Sequence, residues 1–250
     1  MKFYKKLSFK IFTAAIIFVI CLTGAFFIYT SNYYHATTVA TEAMTDNQNV
    51  TITYKDDMAI FTPNENSKQV GLIFYPGAKV EYTSYAPLMT KLAENGITCV
   101  LIKMPFNLAV FNINAANKAL NDVSNITSWY ISGHSLGGAM ASAYAASNTD
   151  KLSGIILLGA YPSSDLSKTD LRLLTMYGSN DEVLNKNKLS ETKSNAPSDS
   201  LYFEIEGGNH ANYGNYGIQK GDGTATISSD EQQTIVTDKI IKFIELDGIQ

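Results

Sequence analysis

From residue 70 onward the chain alternates between short runs that are apolar throughout and longer stretches in which apolar residues recur every three or four positions. Val70–Tyr75 (VGLIFY) and Ile97–Ile102 (ITCVLI) are runs of the first kind. Between them Tyr85, Leu88, Met89 and Leu92 stand at i, i+3, i+4 and i+7, and Gly96 follows. The first pattern predicts a strand buried on both faces, the second a helix over 82–95 that a glycine ends. The alternation continues with a helix over 112–124, a strand over 127–132, a helix over 136–147, strands over 154–158 and 171–177, a helix near 185–194, a last strand over 201–205 and a closing helix over 228–246. Ser228 with Glu231 three residues on predicts a capping box there. Ahead of this region, 50–54 and 58–62 predict a hairpin at a sheet edge. Buried strands separated by helices predict an α/β fold, a mostly parallel doubly wound sheet with helices on both faces. In such sheets function sits at the carboxyl ends of the strands.

The first 30 residues follow another pattern. Lys2, Lys5, Lys6 and Lys10 precede an uncharged run from Ile11 to Tyr29. Nineteen residues at about 1.5 Å each reach roughly 28 Å, close to the thickness of a hydrocarbon core. The expectation is an uncleaved single-pass anchor over 1–30, with its lysine-bearing end cytoplasmic and the rest outside the cell. The rival is a cleaved signal peptide and a secreted protein, although signal-peptide apolar regions are usually shorter. Residues 31–49 are polar and read as a stalk, which leaves 50–250 for the α/β domain.

Composition narrows the chemistry. The 250 residues carry 19 basic and 23 acidic side chains. The four lysines ahead of Thr30 are balanced by no acid, so the remainder has a net charge of −8. An acidic domain is a poor ligand for nucleic acid or anionic lipid. Cys21 falls in the apolar run and only Cys99 lies beyond it, so no disulfide framework is expected. Two cysteines and three scattered histidines also leave no metal cluster at ligand spacing. The expected partners are a small acyl substrate and, through the N-terminal helix, a membrane, with no cofactor.

The candidate chemistry begins at Gly133-His134-Ser135-Leu136-Gly137. A G-x-S-x-G pattern alone is weak. Here a strand precedes it and a helix follows it, the context in which a sharp turn projects a serine over the sheet. The chain has neither of the common glycine-rich phosphate-loop patterns. Ser135 is therefore the candidate nucleophile, and it needs a base. His35 lies beside the apolar run, and His134 lies inside the turn with its side chain expected to point away from Ser135. By elimination the base is His210, in the loop after the last strand. The carboxylate that orients it is expected after the preceding strand, where Asp181 is the first choice. Glu182, Asp165 and Asp170 are alternatives. The oxyanion hole needs two amides. Leu136 supplies one, and the loop after Val70–Tyr75 supplies the other through Ala78 or, next, Lys79. Lys79, Tyr213 and Tyr216 are candidate substrate-binding residues. For the two tyrosines, a loop packed on itself is the equal alternative. Asp222, between two glycines, reads as a turn residue.

With Ser135, Asp181 and His210 in that chain order, the sequence from about Val70 onward resembles the α/β-hydrolase superfamily. The stretches YPGAKVEYTSYAPLMTKLAENGI, KMPFNLAV, GHSLGGAMA and GNHANYGNYGIQKGDG are similar to bacterial dienelactone-hydrolase-like proteins. The resemblance implies the α/β-hydrolase fold and a Ser-His-Asp triad. The fold's usual lid position lies after Gly159, where only 160–170 are available, so it implies a minimal lid and an open site. No HGGG signature precedes the oxyanion loop. The expected activity is serine hydrolysis of a carboxylic ester. Thioester cleavage, acyl transfer or a non-catalytic binding domain on the same fold are the alternatives.

Overall fold

In the computed structural model, which describes residues 2–246, the apolar runs pair into one sheet of eight strands. These are β1 (Val50–Lys55), β2 (Met58–Pro63), β3 (Val70–Tyr75), β4 (Ile97–Ile102), β5 (Ser128–His134), β6 (Gly154–Leu158), β7 (Arg172–Gly178) and β8 (Ser200–Ile205). The helices are α1 (Lys2–Ser31), α2 (Thr38–Glu42), α3 (Ala86–Glu94), α4 (Ala116–Asp122), α5 (Leu136–Ala146), α6 (Lys186–Glu191) and α7 (Ser229–Glu245). The strand order is β1-β2-β4-β3-β5-β6-β7-β8. The β1–β2 hairpin joins antiparallel at one edge, and every pairing from β4 to β8 is parallel.

Side chains alternate across a strand, and β3 feeds two cores in this way. Leu72 and Phe74 pack with Leu88 and Leu92 of α3 and Ile240 and Phe243 of α7. Ile73 and Tyr75 pack with Ala116 of α4 and Ala141 and Tyr144 of α5 on the opposite face. Each large side chain removed from water in this way contributes roughly 1.5–3 kcal/mol. The Ala-rich surface of α5 lets that helix lie close to the sheet. The capping box of α7 forms: Glu231 N–H donates to the Ser228 hydroxyl at 3.1 Å, and Ser228 N–H donates to Glu231 Oε2 at 2.8 Å.

Some boundaries differ from expectation. The stretch over 82–95 is a 3₁₀ turn (Tyr82–Tyr85) followed by α3. Pro87 stands in the first turn of α3, the one place in a helix that tolerates a missing N–H. The helix expected over 112–124 is α4 preceded by a 3₁₀ turn (Ile113–Ala115). Strand β5 runs two residues further than expected, so Gly133 and His134 belong to the sheet.

The chain divides into two units, residues 1–33 and 34–250. In the first, Phe12–Ser31 is 20 residues long with mean hydropathy 2.3, long and apolar enough to cross a membrane. Signal sequences share that property. Of the stretch 31–49 expected as a stalk, residues 34–49 belong instead to the second unit. Tyr34 N–H donates to Lys79 O at 2.7 Å, and Glu81 N–H donates to Tyr34 O at 2.9 Å. Ala40 and Met44 are buried in the core. Two well-placed apolar residues and main-chain pairing outweigh the polar average of the segment.

Candidate active site

Ser135 stands between β5 and α5 with φ 52° and ψ −121°, a left-handed conformation that is costly for a residue with a Cβ. The surrounding chain enforces it. Ser135 N–H donates to Leu158 O at the end of β6 (2.9 Å), and Ala139 N–H donates back to Ser135 O (3.1 Å). The turn is so tight that a Cβ on Gly137 would lie 2.1 Å from Tyr75 O. Only glycine lets α5 begin against the end of β3. The N-terminus of α5 then directs its partial positive charge toward Ser135.

His210 follows β8 and is buried. Its Nδ1 lies 2.8 Å from Asp181 Oδ2. Asp181 follows β7, and its other oxygen accepts N–H bonds from Val183 (3.0 Å) and Leu184 (2.8 Å). Both carboxylate oxygens are thus used, which fixes the direction in which the group is aimed. Glu182 is exposed, as are Asp165 and Asp170, and Asp165 binds Ser167 instead. His35 lies 3.5 Å from Glu81, outside the site.

Ser135 and His210 line one cavity of about 280 Å³, together with Leu136, Ala139, Gly159, Ala160, Tyr161, Val183, Leu184 and Asn185. No acidic or basic side chain other than His210 faces it. His210 Nε2 is buried with no hydrogen-bond partner among the described residues, so the Ser135–His210 bond is not made in this structure. Bonds of this kind often tighten only around substrate.

Among the described residues, one amide in the loop after β3 is uncommitted. Gly77 N–H donates to the Tyr85 hydroxyl (3.0 Å), Lys79 N–H to Asn107 O (2.8 Å) and Val80 N–H to Gly77 O (3.3 Å). Ala78 N–H donates to no acceptor among the described residues. The Leu136 amide opens α5, ahead of any intrahelical acceptor. Of the two residues considered for this loop, Lys79 therefore has its amide occupied.

The candidate substrate residues are not brought to the cavity. Tyr213 and Tyr216 are buried. The Tyr213 ring packs 5.3 Å from that of His134, and Tyr216 packs on Tyr34 and Tyr85. The loop after His210 folds on itself because its tyrosines supply apolar area that the core takes up. Lys79 has φ 57° and does not line the cavity.

Sequence reasoning missed Asp222. It accepts N–H bonds from His210 (3.2 Å) and Gly223 (2.8 Å) through Oδ1, and from Ala211 (2.8 Å) through Oδ2. The residue read first as a turn residue therefore ties the 221–223 turn to the His210 loop. A carboxylate twelve residues beyond the histidine, with glycine on either side, was the available signal.

His134 is buried, and its Nδ1 lies 2.8 Å from the Tyr85 hydroxyl. Burial, and then the neighbouring His210, push it well below the ordinary histidine range. The unfolded chain binds a proton here near pH 6.5 that the folded chain refuses. This contribution is complete above that pH and is lost as pH falls below it, by at most about 1.4 kcal/mol per unit. The melting temperature should fall from pH 7 to 5, and His134→Asn should flatten that slope. Equal slopes in both proteins would assign the acid sensitivity elsewhere.

A doubly wound sheet with its strand–turn–helix elbow at the carboxyl ends defines a hydrolase fold. The chain belongs to the alpha/beta hydrolase family, whose model matches residues 71–234. No curated protein matches it. A structure described as a predicted CIB-like hydrolase from Thermoplasma acidophilum aligns with TM-score 0.53 and 17% identity, covering 76% of this chain and 96% of that one. Est1E from Butyrivibrio proteoclasticus aligns with TM-score 0.56 and 15% identity, covering 79% of this chain and 100% of that one. At these identities the likeness is one of fold.

Proposed function

We propose that the protein is a serine hydrolase that cleaves carboxylic esters and is held at the outer face of the cell membrane by α1. Ser135 Oγ attacks the acyl carbonyl while His210 Nε2 takes its proton. Asp181 holds His210 in the tautomer that leaves Nε2 free and stabilises the imidazolium that forms. The Ala78 and Leu136 amides receive the tetrahedral oxyanion. His210 returns the proton to the leaving alcohol, which departs and leaves the acyl group on Ser135. Water, deprotonated by His210, then releases the acid. Asp222 keeps the His210 loop in register.

The observation that carries this reading is the pairing of two facts: His210 is bonded to Asp181 at 2.8 Å, and it shares a cavity with a serine held at φ 52°. The uncharged lining of that cavity supports an uncharged acyl group, since a buried charge without a partner is costly. The four lysines before the apolar run support an outward-facing domain.

One experiment tests both parts. A membrane-impermeant fluorophosphonate applied to intact cells should label Ser135 in a membrane-bound protein of full length. Labelling only after permeabilisation would overturn the topology. Absence of labelling in both states would overturn the nucleophile. Labelled protein in the medium alone would replace the anchor with a cleaved signal.

A further inference from the structure

A buried polar chain beneath the site belongs to none of the roles described so far. Gly77 N–H donates to the Tyr85 hydroxyl at 3.0 Å. That hydroxyl, whose proton has no other acceptor among the described residues, lies 2.8 Å from His134 Nδ1. We assign the hydroxyl as the donor; Nδ1 then accepts, and the proton of the neutral ring sits on Nε2, which is buried without a hydrogen-bond partner among the described residues. The His134 ring in turn lies 4.5 Å from that of His210, centroid to centroid. Tyr85 is itself held, with its ring 4.8 Å from Phe74 of β3. The fit is close: a Cβ on Gly77 would lie 2.8 Å from His134 Nδ1 and 2.9 Å from the Tyr85 hydroxyl.

We propose that Tyr85 and His134 are positioning residues of the active site. The Tyr85 hydroxyl fixes the turn that presents the Ala78 amide, and His134 is the neutral wall that holds the His210 ring in place. The inference rests on the serine-hydrolase reading. Three elements that must keep register during acyl transfer meet at this chain: the loop after β3, the nucleophile turn and the base. Gly77 is directly bonded through it, His134 is the residue before Ser135, and His210 lies against it. Ala78 has Gly77 on one side, bonded to Tyr85, and Lys79 on the other, bonded to Asn107 O. Its amide direction is therefore set from both flanks. A neutral His134 also matters chemically. His210 becomes an imidazolium in the transition state, and a second cation at ring-contact distance would oppose it.

Tyr85→Phe keeps the ring and removes the hydroxyl. Donor placement errors of about 1 Å cost on the order of 100-fold in rate. The full chain carrying Tyr85→Phe should therefore lose roughly 10- to 100-fold in kcat on p-nitrophenyl acetate with KM within about 3-fold. His134→Leu should lose a similar factor. His134→Asn places an acceptor near the position of Nδ1 and should recover most of the rate. Tyr85→Phe combined with His134→Leu should be no slower than the slower single variant, because both break one chain. The proposal is overturned if Tyr85→Phe leaves kcat unchanged, if Asn and Leu at 134 are equally slow, or if the two losses multiply. Should Tyr85→Phe melt below assay temperature, the His134→Asn and His134→Leu pair decides alone. Fluorophosphonate labelling of the unmutated protein separates the two levels. If it is unlabelled, the hydrolase reading itself falls; if it is labelled while the variants behave as wild type, only the positioning roles fall.

Discussion

Replacing Ser135 with alanine is expected to lower kcat/KM on p-nitrophenyl acetate by at least about 1000-fold, equivalent to roughly 4 kcal/mol of transition-state stabilisation. In the proposed mechanism this hydroxyl forms the acyl-enzyme. Alanine keeps the Cβ, so the backbone at φ 52° carries the same strain and the fold should melt within a few degrees of the parent. The residual rate would come from the Ala78 and Leu136 amides acting on water attack. A burst of p-nitrophenol equal to the enzyme concentration should precede the steady state in the parent and vanish in the variant. Retention of more than about a tenth of the parent rate in Ser135→Ala would exclude Ser135 as nucleophile, because no effect through positioning alone leaves a missing nucleophile so nearly harmless.

The second large effect is expected at Asp181. Asp181→Asn preserves shape and can keep the oxygen that accepts from Val183 and Leu184. Its amide nitrogen then faces His210 Nδ1 where a carboxylate oxygen stood at 2.8 Å. An N–H donor there forces Nδ1 to accept, which moves the imidazole proton to Nε2, the atom that must take the proton from Ser135. The tautomer is wrong, and losses in kcat of about 10,000-fold are the scale for such a change. Glu182→Gln, at the exposed neighbour, should stay within about 2-fold. Comparable losses in the two variants would mean that the loop as a whole, and not the Asp181 carboxylate, sustains activity.

The order of elements was legible because a parallel sheet covered on both faces needs strands that are apolar on every side chain, and VGLIFY and ITCVLI are such strands. The elbow was legible because its glycines record steric contact: Gly137 is small for the sake of Tyr75 O. His210 was reached by elimination among three histidines, which works only in a histidine-poor chain. Composition misled where it averaged. Residues 34–49 look polar, yet Tyr34, Ala40 and Met44 dock them against the domain. For Tyr213 and Tyr216, set in a loop rich in glycine and asparagine, a substrate contact and a self-packed loop stood as equal readings, and both side chains are buried.

What the sequence determined by itself was local or periodic: the strands and helices, their order, the turn that lifts Ser135, and the apolar length of α1. What only the tertiary structure decided was which polar groups meet. Asp181 prevails over Glu182 because one side chain of the pair turns inward to His210. The Ala78 amide has no acceptor among the described residues, while its neighbours Gly77 and Lys79 donate to Tyr85 and Asn107. His134, set aside in the sequence as a residue of the turn, lies with its ring against that of His210. Hydrogen bonds between residues 28, 29 or 49 positions apart have no periodicity to betray them. Their partners are set by how the packed sheet brings its loops together, and only there does a buried polar group find or lose its one acceptor.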